Sequence, residues 1–93
     1  MNNSEHETKH YFDYLKKAKK ELELLFQKYP ELATLSSKEL EIFEQLLTDK
    51  TMVTIAKESG FSISGVHFHS KNIYKKLNVS NRRQFLITYR DLC

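Results

Sequence analysis

Glycine, proline and cysteine are scarce in this chain of 93 residues, which holds two glycines, one proline and one cysteine. Such scarcity argues against a turn-rich all-β fold, and the many leucines, lysines and glutamates favour helices. The lone Cys93 rules out an internal disulfide framework or a cysteine-pair metal site and is typical of a reducing compartment. The first ten residues contain no apolar run, so they predict neither a signal peptide nor a membrane span, and we expect a cytoplasmic protein.

Enzymatic machinery is also lacking. A chain of this length makes one domain with a possible appendage and leaves little room for an enclosed pocket. The serines and histidines form no arrangement of nucleophile, base and orienting group, and no acid lies near them. We therefore expect no enzyme and no cofactor.

Acidic residues are absent from Ser59 to Arg90, although the chain as a whole carries a net charge of only +3. This stretch contains six basic residues: Lys71, Lys75, Lys76, Arg82, Arg83 and Arg90. Such a surplus predicts a polyanionic partner, either nucleic acid or an anionic membrane surface. A membrane surface would explain the charge but not the turn at Gly60 or the register of the helices, so we expect no membrane partner.

A long helix is predicted from Lys9 to Tyr29, after a frayed polar tail and before Pro30. Its apolar residues follow a heptad spacing: Tyr11, Leu15, Ala18, Leu22, Leu25 and Tyr29. Three heptads are marginal for a free-standing coiled coil, so this seam must pack on the rest of the chain or on a second copy. Periodicity alone leaves both alternatives open.

Four shorter helices follow, and each begins after a residue that can cap it: Ser36 (in a capping box with Glu39), Thr51, Ser62 and Asn81. The helix after Thr51 is expected to bury Val53, Ile55 and Ala56 and to end at Gly60 in the left-handed conformation. The helix after Ser62 is expected to run to about Leu77, and the last one to about Leu92. The prediction is an all-α fold with a tail and heptad helix in residues 1–33 and a second domain in residues 34–93.

The helix before Gly60, the turn and the helix after it have the pattern of a helix-turn-helix. One side of the second helix is predicted to be buried: Val66, Ser70, Ile73 and Leu77. The opposite side carries Ser64, Phe68, Lys71 and Lys75, with His67 and Asn72 on its flank. His67 and His69 point about 200° apart on a helix and cannot share a metal ion.

Phe68 is the informative residue of that outer side. An aromatic ring opposite the core is either covered by another helix or a second chain, or enters a major groove against thymine methyl groups. The neighbouring lysines favour the groove.

Residues 33–92 resemble the LuxR-type helix-turn-helix domain of bacterial transcription regulators, in register and without gaps. The resemblance is carried by Leu35-Ser36 with Glu39, Ile55-Ala56, Gly60-Phe61-Ser62, Val66 with His69, Asn72-Ile73, Lys76-Leu77, Val79, and Arg82 with Gln84. It implies a four-helix DNA-binding domain whose helix 62–77 enters the major groove of double-stranded DNA. It also implies a sequence-specific transcription regulator that acts as a homodimer.

Together with the outer side of that helix, the resemblance implies a set of site residues. Base contacts are expected from Ser64, His67, Phe68 and Lys71. Phosphate contacts are expected from Lys50, Thr51, Ser62, Asn72, Lys75 and Arg82. The family's last helix often forms the dimer contact, which implicates Phe85 and Tyr89 in addition to the heptad seam.

Three questions stay open, and the first comes from departures from the family pattern. Gly65 and His67 stand where the family usually has a hydroxyl residue and a basic residue, and predict altered or weaker DNA binding. They also keep alive an alternative, a protein-interaction module that binds another regulatory protein through the N-terminal helix. Arg82 has two readings, a DNA contact or a structural ion pair between helix ends. A stand-alone regulator and the output domain of a larger protein both fit the sequence.

Overall fold

The computed structural model describes the backbone of residues 2–93 and the side chains from residue 15 onward. All its regular elements are helical: α1 (Asn2–Lys28), a 3-10 helix (Pro30–Thr34), α2 (Ser37–Leu46), α3 (Met52–Ser59), α4 (Ile63–Leu77), α5 (Arg82–Thr88) and a 3-10 helix (Arg90–Leu92). The predicted all-α fold is confirmed. The chain divides into two compact units after Pro30.

Helix α1 begins at Asn2 rather than at Lys9. Polar residues such as glutamate and lysine have good intrinsic helix propensity, so a helix does not need to begin where the apolar pattern begins. Along the heptad seam, Leu15 and Leu22 are 42% and 41% exposed. Ala18, Leu25 and Tyr29 are half-buried, whereas the side chain of Tyr11 lies outside the described residues.

The second unit, from Glu31 onward, has a core drawn from every one of its α-helices and from the 3-10 segment at its start. The apolar members with no exposed surface are Leu32, Ile42, Leu46, Ile55, Val66, Ile73, Phe85 and Tyr89. Phe43 lies at the aromatic centre, with its ring centroid 5.3 Å from that of Phe85 and 5.5 Å from that of Tyr89, both edge-on. Edge-to-face pairs of this kind stabilise a core beyond the area they bury.

Phe85 and Tyr89 therefore require a correction. Both were expected at a dimer contact, yet both side chains are 0% exposed within a single chain. A side chain with no exposed surface has none to offer a second copy, so we do not retain these two residues as an interface. Tyr89 also donates a hydrogen bond from its hydroxyl to Glu31 Oε2 at 2.8 Å, which joins the end of the unit to its beginning.

The predicted helix caps are all present. Ser36 and Glu39 form the reciprocal capping box of α2, and Thr51, Ser62 and Asn81 accept hydrogen bonds at the starts of α3, α4 and α5. Gly60 ends α3 with φ of 75°, in the left-handed region that favours glycine. These caps fix where each helix begins and hold α3 and α4 on either side of a three-residue turn.

Two details of the helices differ from expectation. Val53 is 58% exposed, so the prediction that α3 buries it is wrong. Residues two apart on a helix point about 200° away from each other, and Ile55 takes the buried side. The last helix ends at Thr88, and Arg90–Leu92 form a separate 3-10 turn instead of continuing it.

Candidate nucleic-acid interface

Helix α4 has one buried and one exposed side, in the register expected from its sequence. Val66, Ser70, Ile73 and Leu77 are the residues of this helix that lie in the core. On the other side Phe68 is 62% exposed, which is a large apolar surface for an isolated ring. The side chains around it are polar or basic and also exposed: Ser64, His67, Lys71 and Lys75. Asn72 is half-buried beside them.

Ile63 is a member of this surface that sequence reasoning missed. It is the first residue of α4 and is 47% exposed. It lies one turn before His67 on the same side of the helix. The signal that could have found it is an apolar residue at the fourth position before His67, off the buried stripe.

The beginning of α4 is tightly organised around Ser62. Its Oγ accepts a hydrogen bond from the Gly65 N–H at 3.0 Å and lies 3.3 Å from Ser64 Oγ. A Cβ added at Gly65 would sit 3.0 Å from the same Ser62 Oγ. Glycine at position 65 thus leaves the capping serine undisturbed, although the residue type itself lowers helix propensity.

The two histidines of α4 have different surroundings. His67 is exposed, whereas His69 is half-buried with its ring centroid 5.6 Å from that of Phe61 in the turn. The ring of Phe68 lies at the same centroid distance of 5.6 Å from His69. Phe61, His69 and Phe68 therefore form a line of rings from the turn to the outer side of α4. Within the part of the chain that the structure describes, no cluster of histidine, cysteine or acidic residues could hold a metal ion.

Lys50 and Thr51 lie just before α3. Thr51 Oγ1 accepts a hydrogen bond from the Thr54 N–H at 3.2 Å, and the Thr51 side chain is exposed. Lys50 Nζ donates to Glu58 Oε2 at 2.7 Å and to Gln45 Oε1 at 3.0 Å. The charge of Lys50 is thus partly balanced within the chain, and Thr51 is left as the more accessible of the two predicted phosphate contacts.

Residues 33–89 match the family model described as bacterial regulatory proteins, luxR family. This match covers more than half of the chain. The chain belongs to the luxR family of bacterial regulatory proteins. Its LuxR-type helix-turn-helix domain is of the DNA-binding, transcription-regulating type.

Two curated relatives are similar to the LuxR-type domain. The transcriptional activator protein EsaR of Pantoea stewartii subsp. stewartii is 47% identical over 49 residues, which are 53% of this chain and 20% of the relative. The probable transcriptional regulatory protein SgaR of Hyphomicrobium methylovorum is 41% identical over 51 residues, 55% of this chain and 24% of the relative. The matches thus span about a quarter or less of these relatives. No solved structure matches.

Arg82 of the LuxR-type domain is held by the end of α2. Its Nη2 donates to the Thr48 carbonyl at 2.7 Å and its Nε to the Leu46 carbonyl at 3.3 Å. A guanidinium is well suited to this position, because the last carbonyls of a helix are unpaired and carry partial negative charge. These hydrogen bonds support a structural role for Arg82. Its acceptors are carbonyl oxygens, however, and not the carboxylate of an ion pair.

Glu39 of the LuxR-type domain is almost buried, at 5% exposure, and pairs with Lys76. Lys76 Nζ lies 2.6 Å from Glu39 Oε1 and 3.3 Å from the Thr34 carbonyl. Burial alone would raise the pKa of Glu39, but hydrogen bonds from Lys76 and from Ser36 outweigh it and hold the pKa below its ordinary value of 4.5. Lys76 is therefore a structural residue, and the basic surplus facing outward on α4 reduces to Lys71 and Lys75.

In the described part of the molecule, no helix combines the length and apolar composition needed to cross a bilayer.

Proposed function

We propose that this chain is a sequence-specific DNA-binding transcription regulator that inserts α4 into the major groove of double-stranded DNA. The observation that carries the proposal is Phe68, a 62% exposed aromatic ring opposite the buried stripe of α4 and beside exposed Lys71 and Lys75. A helix with a basic outer side fits the width of the major groove. Family membership supports the same assignment.

The exposed side of α4 suggests how a base sequence would be read. Phe68 can contact thymine methyl groups, and Lys71 can reach the acceptor edge of guanine. Ser64 and His67 lie beside them, and Ile63 extends the apolar part of this surface by one turn. We infer that the preferred site contains thymine opposite Phe68, because only thymine presents a methyl group in the major groove.

Phosphate contacts would position the helix without specifying sequence. Lys75, Ser62, Asn72 and Thr51 are proposed for this role, and Thr51 and Ser62 also open helices whose N-termini favour anions. Lys50 and Arg82 remain candidates, but each already has hydrogen-bond partners within the chain. We expect both to contribute less than Lys75.

Self-association is proposed through α1, because the two α5-region residues expected at a dimer contact are buried in the core. The heptad seam includes Leu15 and Leu22, which are more than two-fifths exposed. Ala18, Leu25, Tyr29 and, by spacing, Tyr11 complete it. A homodimer would present two α4 helices to half-sites about one helical turn of DNA apart, roughly 34 Å.

A substitution pair in α1 tests the dimer. Leu22→Asp places a charge in the seam, whereas Leu24→Asp places it at a leucine that is 55% exposed and off the heptad. Sedimentation of the full chain should show a dimer for the parent and Leu24→Asp but a monomer for Leu22→Asp. Identical masses for the three would remove the proposed α1 contact.

DNA binding is tested first by selecting bound sequences from a random duplex pool and then by titrating the selected duplex at several salt concentrations. The logarithm of affinity should fall linearly with the logarithm of salt. Phe68→Ala should lose preference for thymine at one position by about tenfold, since a mismatched base pair in a specific site typically costs about 1 to 3 kcal/mol. Lys71→Ala should lower duplex affinity, and Lys38→Ala, at an exposed lysine of α2, is its matched control for loss of charge. No enrichment of any sequence would contradict the proposal.

A second candidate function is a protein-interaction module that binds another regulatory protein through α1. The exposed leucines of α1 support it: Leu15, Leu22 and Leu24. It would be favoured if duplex binding stayed at background at low salt while a regulator bound tightly and Leu22→Asp abolished that binding.

A further inference from the structure

Ile63 is an exposed apolar residue at the start of α4. It is the first residue of the helix and is 47% exposed, whereas Val66, the next apolar residue along the helix, has no exposed surface. Its neighbours Ser62 and Ser64 have short side chains, and their two hydroxyl oxygens lie 3.3 Å from each other. The isoleucine is therefore the bulkiest side chain at this end of α4.

The start of the helix does not account for an isoleucine at this position. The cap of α4 is complete without it, because Ser62 Oγ accepts a hydrogen bond from the Gly65 N–H at 3.0 Å. The first turn of a helix favours an acidic side chain, yet that of α4 has none. A β-branched residue also has a lower helix propensity than a straight-chain one. Single exposed apolar residues are common on proteins, so a role for Ile63 depends on its place on α4.

That place is the end of α4 that leads into the groove when a helix-turn-helix binds DNA. The N-terminal residues of a recognition helix are the ones that contact base edges. Ile63 lies only about 40° around the helix from His67, which belongs to the proposed base contacts. It is five residues from Phe68, or about 7.5 Å along the helix axis. Base pairs are about 3.4 Å apart, so the two apolar side chains are separated by about two base-pair steps.

We propose that Ile63 contacts the methyl group of a second thymine, about two base pairs from the thymine proposed for Phe68. This inference rests on the proposed insertion of α4 into the major groove. Thymine is the base that presents a methyl group there. Isoleucine has no side-chain donor or acceptor, so a guanine, adenine or cytosine edge at the same place would lose water without gaining a partner. Ile63 would thus be a specificity-determining residue.

The sugar-phosphate backbone is a poorer partner for Ile63. Phosphates are charged and take hydrogen bonds from basic and polar side chains, which an isoleucine cannot donate. A contact to the backbone would also be the same for every base sequence. Base preference therefore distinguishes the two kinds of contact.

The experiment removes the methyl group and leaves the hydrogen-bonding edge of the base pair unchanged. Each thymine of the duplex selected from the random pool is replaced in turn by deoxyuridine, which lacks only the methyl. The affinity of the full chain for each duplex is then measured by fluorescence anisotropy. We expect two positions in each half-site at which the replacement weakens binding by about fourfold, the effect of losing one buried methyl-sized group. These two positions should lie about two base pairs apart.

Variants assign each sensitive position to a side chain. In Ile63→Ala one replacement should lose its effect while the other keeps it, and Phe68→Ala should give the reverse. Ile63→Val keeps a branched apolar side chain and should retain most of the sensitivity. Val53→Ala alters an aliphatic residue of α3 that is 58% exposed, and it should leave both positions sensitive. All four variants should keep the helical circular dichroism of the parent chain.

Three results with these variants would overturn the inference. The same deoxyuridine sensitivity in the parent and in Ile63→Ala at every thymine would remove Ile63 from the base contacts. An equal loss of affinity for every duplex would make it a contact to the backbone. A lower mass of Ile63→Ala in sedimentation would make it a contact between copies.

The proposed function can fail separately from this inference. Enrichment of no sequence by the parent chain would contradict both. A selected duplex with one sensitive thymine in each half-site, lost in Phe68→Ala and kept in Ile63→Ala, would support the proposed function and contradict the role of Ile63 alone.

Discussion

Replacing Lys76 with methionine should destabilise the LuxR-type domain by leaving a nearly buried carboxylate without its cation. Lys76 Nζ is 2.6 Å from Glu39 Oε1, and the Glu39 side chain is 6% exposed. Methionine keeps most of the aliphatic stem, so the change is mainly one of charge and hydrogen bonding. Glu39 would keep its hydrogen bond from the Ser36 N–H at 2.8 Å but lose its strongest compensation for burial.

The magnitude follows from the exposure of the two partners. A hydrogen bond to a charged group stabilises by about 1.5 to 3 kcal/mol. The side chain of Lys76 is 42% exposed, so water screens the pair and we reduce this to about 1 to 2 kcal/mol. In a domain of this size, 1.5 kcal/mol corresponds to a fall in Tm of roughly 6 to 12 °C.

The effect should depend on pH in a defined direction. The pKa of Glu39 is held below 4.5 in the folded chain, so its stabilising contribution is fully present above pH 4.5. That contribution is lost as pH falls through the lower folded pKa, since the carboxyl then binds a proton in both states. The difference in unfolding free energy between parent and Lys76→Met should therefore be largest near pH 7 and shrink toward pH 3.

Urea unfolding followed by circular dichroism at pH 7, 5 and 3 measures this difference. Lys75→Met is the matched control, because it also removes a lysine from the last turn of α4. Both variants therefore lose one positive charge that interacts favourably with the helix dipole. We expect its effect to be less than about 0.5 kcal/mol at each pH. A loss with Lys76→Met that stays constant from pH 7 to 3 would refute the ion-pair reasoning and point to packing of the stem.

Three further stability predictions can be checked by the same urea titrations. Tyr74→Phe should be neutral or stabilise the domain by up to about 1 kcal/mol, because the Tyr74 hydroxyl is buried with no hydrogen-bond partner in the described part of the chain. A loss of stability above about 1 kcal/mol would mean that the hydroxyl has a partner. Gly60→Ala should cost about 1 to 2 kcal/mol from its φ of 75° alone, since no atom lies within 4 Å of an added Cβ; no loss would contradict the left-handed turn. Arg82→Met should lower the unfolding free energy by about 1 to 3 kcal/mol, because the carbonyls of Leu46 and Thr48 lose their hydrogen-bond donor. Unchanged stability with a change in duplex affinity would contradict a structural role for Arg82.

Local features of this fold could be predicted because their causes lie within a few residues. The capping box joins residues three apart, as do the caps at Thr51, Ser62 and Asn81. The left-handed Gly60 depends on a single residue type. The buried stripe of α4 has four members over about three turns, which is long enough for periodicity to fix its direction. Phe68 was accordingly expected on the outer side, where the structure has it.

The misplaced features depend on contacts distant in sequence. Helix α3 has only eight residues, so its apolar pattern did not distinguish the buried Ile55 from the exposed Val53. The partner of Glu39 is Lys76, which lies 37 residues away in the sequence. No spacing rule distinguishes Lys76 from Arg82 as the basic side chain that pairs with Glu39. Arg82 itself bonds to carbonyl oxygens, which every residue carries and no sequence pattern marks. The same limit applies to Phe85 and Tyr89, because an apolar side chain on or just after a short helix is equally compatible with a core and with an interface.

The hydrogen bond between Tyr89 and Glu31 has a consequence for how the domain is made. Its two residues are 58 positions apart, and Tyr89 and Phe85 supply part of the aromatic centre around Phe43. Ribosomes add about 5 to 20 residues per second, so about 3 to 12 s separate the synthesis of Glu31 from that of Tyr89. Until then Phe43 lacks two of its ring partners, and the nascent chain exposes an aromatic surface. The aromatic part of this core can therefore form only after α5 and Tyr89 have been synthesised.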